Sequence, residues 1–130
     1  MAQIIIALLL LGHGVGHALF LANSWGYWKS DGSRSAFFEN VLHAEQTLEG
    51  IAGILWLLPL IGFAASAWGC YSGAAWWSTV AISAALLSVL MIALWWSSLN
   101  PSSIVFALGV DVTVIVVLLA QQYAGVVNVP

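Results

Sequence analysis

The sequence predicts an all-α integral membrane protein: a single membrane domain, residues 1–130, folded as an antiparallel bundle of four transmembrane helices with short loops. Three observations predict it. Of the 130 residues 62% are hydrophobic and only 5% are charged, whereas an ordinary soluble domain carries about 25% charged residues. The apolar residues gather into four runs, each near the ~20 residues needed to cross the hydrocarbon of a bilayer. The breaks between the runs are short and polar or turn-forming, so neighbouring helices have to run antiparallel.

The first run, 3–23, has no Lys or Arg before it and no small-x-small cleavage site at the distance a secretory signal requires, and so it reads as the first helix. A polar loop, SWGYWKSDGSRS at 24–35, follows. The second helix is expected over 38–65, and the SAWGCYSG stretch at 66–73 is expected to turn the chain. The third is expected over 74–96. It carries Trp76 and Trp77 at its start and Trp95 and Trp96 at its end, ~28 Å apart at helical rise, which is the spacing of two aromatic belts. After SSLNP the fourth helix is expected over 102–123. Small residues recur four apart at Gly12 and Gly16, at Ala81 and Ala85, and at Ala84 and Ser88, and such faces let helix backbones approach closely.

Charge excludes whole classes of function. The only basic side chains are Lys29 and Arg34, and nucleic-acid binding needs clustered cations to neutralise phosphates. A lone cysteine, Cys70, forms neither an internal disulfide nor a CxxC pair. Because Lys29 and Arg34 both lie in the first loop, that loop is expected on the cytoplasmic side.

What remains unusual is a set of ionisable residues inside the apolar runs: His13 and His17 in the first, His43, Glu45 and Glu49 in the second, and Asp111 in the fourth. Each is costly in lipid and needs a polar partner or a wet cavity. Counted from the first-loop face at helical rise, His43 lies ~6 Å deep, His17 and Glu45 ~9 Å, and His13, Glu49 and Asp111 ~14 Å. His13 and His17 are four apart on one helix face, as are Glu45 and Glu49 on another, with Gln46 widening the second. Asp111 is expected to point into the bundle, facing His13 and Glu49.

Three chemistries suit such a cluster. A carboxyl or imidazole group in a low-dielectric cavity can do acid/base work on a lipid-soluble molecule, of the isomerisation or cyclisation type. His13, His17, Glu45, Glu49 and Asp111 are then the catalytic candidates, with Trp25, Trp28, Gln46, Trp56 and Trp95 lining the ligand. Alternatively, two His on one turn plus carboxylates from other helices are the ligand types that bundle cores use for iron, manganese or zinc, although no Glu-x-x-His pair is present. Haem or pigment ligation would fall to His17 and His43, on different helices. The expected partners are the bilayer and a hydrophobic small molecule. Trp56, near the middle of the second run, also allows a contact with further membrane subunits or a second copy of the chain.

Overall fold

The computed structural model describes residues 1–25, 27, 35–43 and 46–125, without the side chains of Gln46 and Thr47. Helix α1 spans Ala2–Ser24, and one π-helical turn follows at Phe37–Val41. Helix α2, Gln46–Ala52, continues through a 3-10 turn at Gly53–Trp56 into α3, Leu57–Ser72. Helix α4 covers Trp77–Leu94, and after a 3-10 turn at Trp96–Ser98, α5 covers Pro101–Tyr123. No strand occurs among the described residues. Four stretches are long and apolar enough to cross a membrane: Ala2–Ser24, Leu48–Ser72, Trp77–Leu94 and Pro101–Tyr123.

Three of these lie close to expectation, and the second does not. Its helix is described from Gln46 rather than 38 and ends at Ser72 rather than 65. Phe37, Phe38, Val41 and Leu42 extend the apolar run, but they belong to or follow the π-helical turn. His43 then takes a left-handed backbone, φ 48°, which no helix interior accommodates. At the other end Ser66 and Ser72 turn their hydroxyls back onto the carbonyls of Phe63 and Gly69, so these serines sit inside the helix instead of breaking it. The helix stops only at Gly73, whose φ of 73° makes the left-handed C-terminal turn that glycine favours. Helix α5 starts where its caps say: Asn100 accepts from the Ser102 amide at 3.0 Å, and Pro101 occupies the first turn.

The helices pack in the order α1 on α3, α3 on α4, and α4 on α5. Close approach depends on two glycines. A Cβ at Gly14 would lie 2.8 Å from Phe63 Cβ, and one at Gly62 would lie 2.8 Å from Ala84 Cβ. Ala81, Ala84, Ala85 and Ser88 are all buried on α4. Gly12 and Gly16, by contrast, have nothing within 4 Å of an added Cβ, so the expected small-residue seam of the first helix is not a packed one.

Two apolar clusters form the core. One contains Leu21, Phe38, Trp56, Met91, Ile92, Trp95, Leu99, Ile104 and Ala107. The other contains Leu10, Phe63, Ala67, Ala81, Ala84, Ala85 and Leu118. Between them, at His13 and His17 of α1, Ser88 of α4 and Asp111 of α5, lies a polar layer. Most large side chains facing away from the core are apolar, including Leu9, Val15, Ile61, Leu86, Phe106 and Val116, a surface that only an apolar solvent covers without cost.

Candidate functional site

The polar layer is built on α1. His13 and His17 lie one turn apart there, and both rings point into the helices. Asp111 reaches the same level from α5 and is fully buried. His13 Nε2 stands 2.7 Å from Asp111 Oδ1, and Ser88 Oγ donates to Asp111 Oδ2 at 2.5 Å. With the imidazole N–H also donating, the carboxylate accepts on both oxygens from two different helices.

His17 is placed differently. Its ring stacks with those of Trp56 and Phe63, with centroids 5.7 Å from each and interplanar angles of 18° and 10°. The residue is 1% exposed, and neither Nδ1 nor Nε2 has a hydrogen-bond partner among the described residues. A buried polar group left unsatisfied costs about 1–3 kcal/mol, so this histidine is an expense that packing alone does not repay. His13 meets His17 edge to face, centroids 5.1 Å apart, and meets Phe63 in the same way at 4.7 Å. The indole nitrogens of Trp56 and Trp95 are likewise buried without a partner among the described residues, and the two rings lie 5.8 Å apart.

A groove of about 820 Å³ between α1 and α5 leads to these residues, half open to the surroundings and lined in part by His13, Gly16, His17, Phe20, Asn23 and Phe106. A second of about 770 Å³ shares Gly12, His13 and Phe106 with it and continues past Leu9 and Val114. Both fall in the range of small-molecule pockets, ~300–1,000 Å³. His13 stands where the two meet, and its bond to Asp111 bridges α1 and α5 there.

The remaining candidates lie elsewhere. Glu49 is buried, but it accepts from the Ser35 amide at 2.9 Å and does not join His13 and Asp111. The later helix start explains this, because Glu49 sits in the first turn of α2, three residues after Gln46, rather than ~14 Å deep. His43 is exposed and precedes the span, so it forms no buried pair with His17. Trp25 is half exposed and donates to the Gly50 carbonyl at 3.0 Å, tying the end of α1 to α2. Trp56 and Trp95 are fully enclosed in the core. Neither is presented to lipid or a neighbour, and of the two only Trp56 touches the polar layer, through His17. Of the paired aromatic belts, Trp76 and Trp96 are exposed as expected and Trp95 is not. Glu45 and Trp28 lie outside the described residues, as does the side chain of Gln46.

No protein-family model, no curated protein and no solved structure matches the chain. Function is carried by the site alone. Two members of that site escaped the sequence reading. Ser88 looked like a small packing residue, yet counting along the third and fourth runs puts it about 12 Å below the first-loop face, beside Asp111 at about 14 Å. Phe63 is one apolar residue among many, and only its stacking on His17 singles it out.

Proposed function

We propose that the chain is a multi-pass membrane protein with antiparallel spans that binds a lipid-soluble small molecule in the groove between α1 and α5. The cluster of His13, His17, Asp111 and Ser88 meets that molecule at its polar end. The hydrogen-bonded His13–Asp111 pair is the acid/base group of the site, suited to proton transfer of the isomerisation or cyclisation type. The observation that carries this reading is His17, a buried imidazole on the groove wall with both ring nitrogens unpartnered. Open space over Gly12 and Gly16 adds to it, since the groove is kept wide next to both histidines. The antiparallel arrangement is supported by the order of core residues. Leu10 and Leu21 of α1 and Ala107 and Leu118 of α5 belong to the two clusters in opposite sequence. Lys29 and Arg34 favour a cytoplasmic side for the first loop; a periplasmic-type reporter fused to the C-terminus should then be active, and an inactive one reverses the orientation.

The test is to purify the protein in mild detergent, extract it and identify apolar compounds by mass spectrometry beside Gly16→Leu. The leucine should fill the groove and reduce the co-purified compound at least tenfold without lowering the unfolding temperature. Equal recovery from both proteins sinks the proposal. A second reading, a small subunit whose partner helix lies along the groove, is favoured by the same open glycines. It predicts instead that Gly16→Leu releases a co-purifying protein chain.

A further inference from the structure

We infer that His13, His17 and Asp111 together hold one divalent transition-metal ion of the zinc or iron(II) class, with an open coordination position on the groove. This rests on the ligand site proposed above and specifies what stands at its polar end. One donor atom from each of the three residues lies within 4.8 Å of the others. An ion with bonds of about 2.0–2.2 Å needs its donors roughly 3–3.5 Å apart. The His13 Nε2 to Asp111 Oδ1 distance, 2.7 Å, has only to widen by a few tenths of an ångström once the shared proton leaves, and His17 has to close the rest.

The surroundings prepare that movement. Phe63 and Trp56 both lie nearly parallel to the His17 ring, which holds the ring plane and leaves its nitrogens, at the edge, to make a bond. Ser88 holds Asp111 Oδ2, so the carboxylate is oriented by an outer partner, as metal ligands are, and Oδ1, which faces His13 Nε2, is the oxygen left to bind the ion once the shared proton leaves. Two histidines and one carboxylate are three protein ligands, the number found where a position is kept for water or substrate rather than in closed structural sites. Gly12 and Gly16, beside His13 and His17, bring no side chain to obstruct that position. Two neutral imidazoles and one carboxylate leave a divalent ion with one uncompensated positive charge in an apolar setting. The lipid-soluble partner should therefore carry an ionisable oxygen, such as a carboxylate, phenol or enol, able to bind as an anion.

The test uses untagged protein, stripped with chelator in detergent and titrated with Co²⁺, read by visible absorption, with Zn²⁺ as competitor and elemental analysis for stoichiometry. One equivalent per chain, displaced by Zn²⁺, is expected. Asp111→Asn and His17→Ala should each weaken binding at least tenfold, and Ser88→Ala about tenfold, with helix content by circular dichroism unchanged. His43→Ala should bind like the parent. Less than a tenth of an equivalent in the parent, or parent-like affinity in Asp111→Asn and His17→Ala, overturns the assignment. If the parent retains an apolar compound but binds no metal, the metal assignment falls and the ligand site stands; one equivalent of metal with no retained compound does the reverse.

Discussion

Replacing Gly14 by alanine should destabilise the protein, while the same replacement two residues to either side should not. All three glycines lie within α1, so each alanine gains the same helix propensity, up to about 1 kcal/mol. Packing separates them. At Gly12 and Gly16 the new Cβ meets nothing within 4 Å, but at Gly14 it lies 2.8 Å from Phe63 Cβ and 3.3 Å from the Leu60 carbonyl oxygen. Ordinary contact begins near 3.4 Å. Either α1 and α3 must part by about 0.6 Å or Phe63 must move, and overpacking of this kind costs about 1–3 kcal/mol. Set against the propensity gain, Gly14→Ala should lose up to about 2 kcal/mol, and Gly12→Ala and Gly16→Ala should be neutral or gain up to about 1 kcal/mol. Reversible unfolding by denaturing detergent, followed by circular dichroism, measures all three. Because Phe63 stacks on His17, Gly14→Ala should also disturb ligand retention. If Gly14→Ala is as stable as Gly16→Ala, the α1–α3 contact is looser than described and the positioning of His17 by Phe63 fails with it.

Asp111→Ala strands two buried donors, His13 and Ser88, and should cost about 3–5 kcal/mol, against about 1 kcal/mol for Ser88→Ala; equal losses in unfolding experiments would show that the His13 bond contributes nothing. Trp56→Ala should cost about 3–5 kcal/mol by leaving a cavity, whereas Trp56→Phe keeps a ring against His17, removes an unpartnered N–H and should cost less than 1.5 kcal/mol. A larger loss from Trp56→Phe, measured in the same way, would mean that the indole N–H has a partner. His43→Ala, at an exposed position with a left-handed φ of 48°, should cost no more than about 1 kcal/mol.

How far the sequence could be read depended on whether a helix end was marked. Helices α1 and α5 are bounded by a polar loop, by Asn100 and by Pro101, so counting along them placed His13 and Asp111 at one depth, and the structure brings them within hydrogen-bonding distance. The second span had no such mark. Its apolar lead-in hid the break at His43, and the shifted frame misplaced Glu49 and Trp56 together. Hydropathy reports how much lipid a segment tolerates, not the backbone angle at one residue. The histidine stack was unreadable for another reason: it depends on which rotamers Phe63 and Trp56 adopt when α3 packs on α1, and single-chain periodicity does not encode that.

The bond between His13 and Asp111 joins residues 98 positions apart, and this has a consequence for how the protein is made. At a synthesis rate of 5–20 residues per second, α1 waits about 5–20 s in the membrane before its partner carboxylate exists. Throughout that interval two imidazoles sit in an otherwise apolar helix with nothing from α5 to receive them. Helix α3 arrives roughly midway, bringing Phe63 against Gly14 and closing over His17 first. The order of manufacture therefore makes the aromatic clamp the early step and the hydrogen-bonded tie the last, so a ribosome stalled after the third span should leave a folded but unlatched intermediate.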